Sequence, residues 1–220
     1  MPASPSTSKH QANSAQTRER LIHAAQKLYA EKGLHAVSFN EITVAAGQKN
    51  RNALQYHFGD RATLVQAIID RHADIIYNMR RDTIADLASK NWPASKIAAH
   101  ILVSPIADYV ASHDDGQEYI NIISQLAVAN ATVGGDERES QLSLHKDKDF
   151  SRIVMQALDA LGSQEARRRI FLAVRITFNG IADICRAAAE PGSPAYIRDQ
   201  RKMVEQLTIT IESLFSAPPA

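Results

Sequence analysis

Residues 45–61 read AAGQKNRNALQYHFGDR, and this stretch decides the fold of the N-terminal part of the chain. An Ala-Ala-Gly sequence ends one helical pattern, and a polar, basic segment precedes a second short pattern. Leu54 and Phe58 are four residues apart, which places both on one side of a helix from Arg51 to Phe58. The turn Gln48-Lys49-Asn50 would then join two helices in a helix-turn-helix.

The residues before this stretch predict two helices. From Thr17, apolar residues recur at helical spacing until Gly33, which predicts the first helix. The sequence Ser38-Phe-Asn-Glu41 fits a capping box, in which the serine and glutamate side chains satisfy exposed backbone amides. It predicts a short second helix that ends at Gly47. With the helix that follows the turn, these two make a compact three-helix head.

Asp60 is predicted to cap a long fourth helix, which Asn91-Trp92-Pro93 interrupts. Beyond Pro93 every substantial segment has a helical pattern, and no period-two alternation indicates a strand. The polar segment 134–148 begins with two glycines and is predicted to be a loop. The remaining helices are predicted at 94–112, 117–132, 149–161, 164–189 and 194–215.

These patterns predict an all-α protein with three parts. Residues 1–16 are rich in Ser, Pro and Ala and lack large apolar groups, which favours a flexible arm. Residues 17–60 form the three-helix helix-turn-helix domain, and residues 61–220 form a larger helical domain for ligand binding and dimerisation.

Composition excludes several classes of protein. The 220 residues are 45% hydrophobic, which is enough apolar material for a core. Cys185 is the single cysteine, so no disulfide can form within the chain, and no secretory apolar region follows the start. We therefore expect a cytoplasmic protein. No apolar run approaches the ~20 residues that cross a bilayer, so no membrane partner is expected.

Charge is distributed unevenly along the chain. Residues 1–61 carry a net charge of +4, and the remainder carries −3. The imbalance is either an ordinary fluctuation in solvated charge or a sign that the N-terminal part meets an anion such as nucleic acid.

The helix-turn-helix supplies side chains suited to DNA. Arginine pairs with guanine, while asparagine or glutamine pairs with adenine, which makes Arg51, Asn52 and Gln55 the candidate base readers. Lys49 and Asn50 lie beside them. The candidate phosphate contacts are Tyr56, His57, Arg61 and, at the start of the first helix, Arg18. The alternative is an ordinary solvated helix face, with His57 partly buried as a packing or capping residue.

The last two helices have wide apolar faces, and Gly180 would permit close helix contact. Either both helices bury these faces within the monomer, or they form a four-helix interface with a second copy; we predict the homodimer. Six bulky residues of the body are candidates to line an effector cavity, although such residues also form plain core: Trp92, Tyr109, Tyr119, Met155, Phe171 and Phe178. Asn179 and Asp183 are added as residues that either orient a polar group or pair across the dimer.

Enzymatic signatures are absent from the sequence. It contains no HExxH motif, no Cys-His cluster and no P-loop, and Cys185 has no identifiable activating base. We therefore predict no catalytic residue, metal or cofactor. Two alternatives stay open: a helical ligand-binding enzyme with a vestigial head, and an adaptor whose exposed faces bind another protein.

Residues Thr17 to Leu64 resemble the DNA-binding domain of the TetR (tetracycline repressor) family of bacterial transcriptional regulators. The resemblance rests on "LYAEKGLHAVSF", "EITVAAG" and "LQYHFGDRATL", the last being similar to the family's Leu-Tyr-x-His-Phe-x-x-Lys signature in a long-turn "YHFG" form. The turn after Gly47 is one residue longer than is usual in the family. Gln55 replaces a common tyrosine, and Asn52 and Ala53 replace the usual glycine and threonine.

This resemblance implies a homodimer that dimerises through its last two helices and binds a palindromic operator as a repressor. It also implies a small-molecule effector that binds between helices of the body. Effector binding would move the long helix and spread the two heads, so that their spacing no longer matches successive major grooves ~34 Å apart.

Overall fold

The computed structural model describes residues 5–129 and 147–218, and the regular structure in these ranges is entirely α-helical. The helices are α1 (Pro5–Lys32), α2 (Phe39–Ala45), α3 (Ala53–Phe58), α4 (Arg61–Leu87), α5 (Ala94–Ser112), α6 (Gly116–Ala129), α7 (Lys148–Ala157), α8 (Ser163–Ala189), α9 (Ala195–Arg198) and α10 (Gln200–Ser216). The all-α prediction is confirmed. The loop predicted at 134–148 lies outside the described residues as far as residue 146, as does the predicted helix end at residue 132.

The first helix is longer than the sequence patterns indicate. It includes residues 5–16, which we had assigned to a flexible arm, and residues 12–16 are exposed. Pro5 stands at the first helical position, where its missing N–H costs nothing, and no glycine or further proline follows before Gln16. Adding residues to a helix that is already nucleated does not require a buried apolar face. The lack of large apolar residues in this segment therefore does not prevent it from being helical.

The chain divides into two compact units, residues 1–71 and residues 72–220. The predicted boundary, between residues 60 and 61, followed the Gly59-Asp60 break that precedes α4. The start of α4 instead belongs to the first unit, since the Arg61 guanidinium donates hydrogen bonds to the carbonyl oxygens of Leu34 and Val37. Helix α4 therefore contributes residues to both units.

In the first unit, apolar side chains of each helix are buried at the predicted spacing. Helix α1 buries Leu21, Ile22, Ala25 and Tyr29, and the later helices bury Ile42, Leu54, Phe58, Leu64 and Ile68. The capping box at the start of α2 is confirmed: the Ser38 hydroxyl accepts from the Glu41 N–H at 3.2 Å, and Glu41 accepts from the Ser38 N–H at 2.8 Å. Asp60 caps α4 as predicted by accepting from the Thr63 N–H at 2.8 Å.

In the second unit, α10 packs against α5 and α8, while α6 packs against α8. Two glycines permit close approach. A Cβ atom on Gly180 would lie 3.0 Å from Leu207 of α10, which confirms the close contact predicted there. A Cβ atom on Gly116 would lie 2.7 Å from the Cα atom of Val110, so the corner between α5 and α6 has no space for a side chain.

Arg169 of α8 holds the end of α10. Its side chain is 6% exposed, and it donates to the carbonyl oxygens of Leu214, Ala217 and Pro218 at 3.1, 2.6 and 2.7 Å. It also donates to the Glu165 carboxylate at 3.0 Å. These bonds satisfy carbonyl groups that a helix end otherwise leaves without partners.

Candidate nucleic-acid interface

The segment from α2 through α3 is a helix-turn-helix, as the sequence predicts. Helix α2 ends with the C-cap Ala46, and Gly47 follows with φ 66°, a left-handed conformation that glycine adopts without strain. The Gly47 N–H donates to the Val44 carbonyl at 2.9 Å, which completes the end of the helix. The chain then reverses into the turn that leads to α3.

The turn is longer than predicted, because α3 begins at Ala53 and not at Arg51. The Asn50 side chain accepts a hydrogen bond from the Asn52 N–H at 3.0 Å, and the Asn50 carbonyl accepts from the Ala53 N–H at 3.1 Å. Asparagine side chains compete in this way with helical hydrogen bonds and favour turns. Arg51 and Asn52 therefore present their side chains from the turn, with Asn52 as the N-cap of α3.

Helix α3 is fixed by its apolar side and displays its polar side. Ala53, Leu54 and Phe58 are 5%, 1% and 5% exposed, whereas Tyr56 is 81% exposed and Gln55 is also exposed. A short helix anchored at both ends by buried residues holds its outward side chains in a defined direction. This is the arrangement that base reading in a major groove requires.

Six of the predicted DNA-contacting residues are exposed and adjacent, namely Lys49, Asn50, Arg51, Asn52, Gln55 and Tyr56. Within the described ranges, neither Lys49 nor Arg51 has an ion-pair partner. We call these six residues the recognition segment. Its donors are available to an external acceptor, since the fold does not use the side chains of its two cations.

Arg18 of α1 lies beside His57 and Phe58 of α3. The Arg18 guanidinium is 5.0 Å from the centre of the Phe58 ring, and its charge, after partial burial, is the second cause of a lowered His57 pKa. Near neutral pH the His57 ring is therefore uncharged and suited to donate a hydrogen bond rather than to attract phosphate by charge. Arg18 is 45% exposed and carries a positive charge beside α3, with its Nη1 atom 3.9 Å from a carboxylate oxygen of Glu19.

Arg61, a predicted phosphate contact, uses its guanidinium within the fold. Besides its bonds to Leu34 and, at 2.9 Å, to Val37, its guanidinium lies 5.8 Å from the centre of the Tyr29 ring. These contacts join the α1–α2 connection to the start of α4. A guanidinium has five donors in a fixed fork, so it can satisfy two carbonyl groups at once, and spacing along the sequence does not reveal such use.

Val44 of α2 was not among the predicted residues, yet it is 67% exposed beside the turn. Ile42 and Ala46 are buried, and Val44 lies between them on the other side of the helix. This position in the helical repeat was a signal that the sequence contained. An exposed apolar side chain here can contact a thymine methyl group or a sugar.

The structure scatters the residues predicted to bind a ligand. Tyr109 and Tyr119 are buried and form ring contacts with His72 at 5.6 and 4.6 Å between centres, and Phe178 is also buried. Four of the others lie elsewhere: Trp92 beneath Lys90 and Lys96, Phe171 beneath Arg175, Met155 in an exposed position, and Asp183 exposed and paired with Arg186. Asn179 donates to the Arg175 carbonyl of its own helix at 2.9 Å.

A cavity of about 590 Å³ lies elsewhere in the second unit, between α5, α6, α8 and α10. None of the eight predicted ligand residues lines it. Its wall consists of small and branched apolar side chains with a few polar ones, whereas our prediction looked for bulky aromatic residues. Sequence patterns alone do not show which small residues face a cavity.

The described residues lack two features, a metal-ligand cluster and a membrane-spanning helix. No group of three or more His, Cys, Asp or Glu residues is arranged to hold a metal ion. No helix in the described ranges has the length and apolar content that a membrane crossing needs.

The N-terminal part of the chain matches known proteins. Residues 21–68 match the family model "Bacterial regulatory proteins, tetR family". A segment of 60 residues is 37% identical to the HTH-type transcriptional repressor BepR of Brucella suis biovar 1 (strain 1330); it covers 27% of this chain and 28% of the length of that repressor. The matched family model describes bacterial regulatory proteins.

Solved structures resemble the chain over most of its length, at low identity. A putative TetR-family regulator from Mesorhizobium loti MAFF303099 is 16% identical, with a TM-score of 0.47 and coverage of 92% of this chain and 96% of that one. A gamma-butyrolactone receptor (ArpA-like protein) is 16% identical, with a TM-score of 0.42 and coverage of 91% and 98%. Both TM-scores are below 0.5. Residues 21–68, which contain the observed helix-turn-helix, are similar to the tetR family of bacterial regulatory proteins.

Proposed function

We propose that the protein is a DNA-binding transcriptional regulator that reads its operator through the recognition segment. The observation that carries this proposal is the exposure of Lys49, Arg51 and Gln55 on a helix-turn-helix whose opposite side is buried. Arg51 and Gln55 are the base readers, assisted by Asn50 and Asn52 from the turn. Phosphate contacts come from Lys49, Tyr56, His57 and Arg18.

The regulator acts as a homodimer of this chain, with α8 and α10 as the interface. Leu172 on α8 and Ile209 on α10 support this assignment, because both are apolar and they are 44% and 51% exposed. A two-fold dimer would bind an inverted repeat whose half-sites are one helical turn, ~34 Å, apart. Because such a regulator acts on chromosomal DNA, we place it in the cytoplasm.

Regulation is repression that a small molecule relieves. The sign of regulation follows BepR, the matched relative, which is named a transcriptional repressor. Helix α4 supports the coupling, since one continuous helix contributes residues to the DNA-binding unit and to the larger unit. An effector that favours one arrangement of the body helices would shift the population of DNA-binding conformations.

Selection of bound duplexes from a random pool at near-physiological salt tests DNA reading. We expect an enriched inverted repeat. Arg51→Ala should lower discrimination by about 1–3 kcal/mol at one base pair of each half-site. Arg81→Ala is the matched control, because it removes an exposed arginine from the second unit, with a side chain that is 65% exposed. Failure of the folded protein to enrich any sequence would contradict the proposal.

Sedimentation equilibrium tests the dimer. Leu172→Glu and Ile209→Glu should each raise the dissociation constant, because a charge would be buried at the interface. Met155→Glu is the matched control, since Met155 is 53% exposed on α7. If Met155→Glu weakened the dimer and the other two variants did not, the interface would be misplaced.

A further inference from the structure

We infer that the cavity between α5, α6, α8 and α10 is a binding site for an apolar organic cation, with the Asp108 carboxylate as its counter-charge. The volume of about 590 Å³ suits a drug-sized molecule. The inference deepens the proposed function. Binding of the cation does not depend on that function, but the role of the cation as the effector rests on it.

The walls of the cavity favour an apolar ligand. Half of the twelve lining residues are alanine, valine or isoleucine, and they come from three helices: Ala107, Val110 and Ala111 of α5, Ile181 and Ile184 of α8, and Val204 of α10. An apolar molecule that fills this space leaves water without exposing new polar groups. The wall by itself does not select a charge.

Asp108 is the residue that favours a positively charged ligand. It lines the cavity while the residue remains exposed to solvent, and no described residue forms a hydrogen bond or ion pair with its carboxylate. Burial raises the pKa of Asp108, and it is the sole cause of the shift, so no neighbouring cation compensates the charge. A carboxylate that has no cationic partner is stabilised when a positive charge binds beside it.

The other charged groups of the cavity do not supply that positive charge. Arg201 is directed to Glu205, with 3.5 Å between its Nε atom and a carboxylate oxygen, and its side chain is 90% exposed. Burial raises the pKa of the Cys185 thiol, which favours its neutral form. With Arg201 and Glu205 paired, the cavity keeps one uncompensated negative charge, and a monovalent cation matches it.

Binding of a defined probe, benzyltributylammonium, can be measured by isothermal titration calorimetry on the full chain without DNA, at about pH 8. We expect binding to the wild type, and binding weakened roughly tenfold or more by Asp108→Asn, which keeps the shape and removes the charge. Asp114→Asn is the matched control: it removes an exposed acid in the turn between α5 and α6, outside the cavity lining, and it should bind like the wild type.

Two further measurements separate charge from shape. The neutral amide N,N-dibutylbenzamide should bind at least tenfold more weakly than the cation to the wild type, and equally poorly to Asp108→Asn. Ala111→Phe adds a bulky side chain to the wall of the cavity without changing its charge and should weaken probe binding at least tenfold, with circular dichroism showing that the helices are retained. Equal binding of the cation by wild type and Asp108→Asn, or unchanged binding by Ala111→Phe, would overturn the inference.

The DNA measurement distinguishes this inference from the proposed function. If the protein binds no operator without the probe, the proposed function fails, whatever the calorimetry gives. If it binds an operator but shows no Asp108-dependent binding of the probe, the inference alone fails. Release of operator by the probe from the wild type, absent in Asp108→Asn, would support both.

Discussion

The recognition segment and the end of α10 use arginine in opposite ways. Arg51 is exposed with no ion-pair partner in the described residues, whereas Arg169 is buried and donates to three carbonyl oxygens and a carboxylate. A side chain whose donors are satisfied within the fold stabilises the protein, while one whose donors meet water is available to a ligand. The contrast teaches that the same residue type signals function only after its internal partners have been counted.

The largest effect is expected at Gly116, where the body tolerates no side chain. Gly116→Ala places a Cβ atom 2.7 Å from the Val110 Cα atom, and both backbones must shift. We expect a loss of about 3 kcal/mol in the free energy of unfolding, measured by urea denaturation. Gly162→Ala is the control, because no atom lies within 4 Å of the added Cβ. Similar losses in both variants would refute the close approach.

Replacement of Arg169 tests the buried half of the comparison. Arg169→Ala leaves the carbonyls at the end of α10 without their donor and should cost about 2 kcal/mol of unfolding free energy. Arg168→Ala, one residue earlier with a side chain that is 69% exposed, should change it by less than about 0.5 kcal/mol. Equal costs would erase the distinction between the two kinds of arginine.

Arg61 and Lys49 provide the same comparison, between a cation bonded within the fold and an exposed one, inside the N-terminal unit. Because its guanidinium bonds to Leu34 and Val37, Arg61→Ala should lower the unfolding free energy by about 1 kcal/mol. Lys49→Ala should leave stability unchanged and reduce the salt dependence of DNA binding by about one unit. The reverse pattern, a changed salt slope for Arg61→Ala with full stability, would restore Arg61 to the phosphate contacts.

The smallest effect is expected from the charge of Glu41. Hydrogen bonds from Ser38, and then the contact with Lys32, lower the pKa of this exposed carboxyl from 4.5 to about 2. Its charge therefore contributes stability above the unfolded pKa of 4.5, and that contribution is lost as the pH falls from there towards 2. Thermal unfolding of the wild type and Glu41→Gln should differ near neutral pH and converge in acid. A difference that is independent of pH would exclude this charge effect.

Sequence reasoning succeeded where periodicity and capping chemistry determine structure. The capping box at Ser38, the cap at Asp60 and the buried pair Leu54 and Phe58 depend on local spacing, and all three are observed. Most helices of the body were found for the same reason, since wide apolar faces at helical spacing need no knowledge of the neighbouring element. The helix predicted at 194–215 is instead observed as two, α9 and α10, because Asp199 caps a new helix start.

Contacts between residues that are far apart in the sequence explain most of the differences between the predicted and the observed structure. The carbonyls that engage Arg61 are 27 and 24 residues away, and no local pattern marks them. The cavity is lined by side chains of four helices. Its position therefore depends on how these helices pack together, which the spacing of residues along the sequence does not reveal. The late start of α3 is different, because the asparagines at positions 50 and 52 were visible signals for a turn.

The exposure of Tyr56, at 81%, has a consequence for how this protein can change. Because the fold does not depend on what the outward side of α3 displays, substitutions there escape the selection that preserves folding. Under the proposed function, operator preference can therefore change through these positions while the scaffold stays the same. A laboratory library restricted to residues 49, 51, 55 and 56, which leaves the turn asparagines at 50 and 52 in place, should yield folded proteins at high frequency. This makes the segment the natural place to build regulators for new DNA sequences.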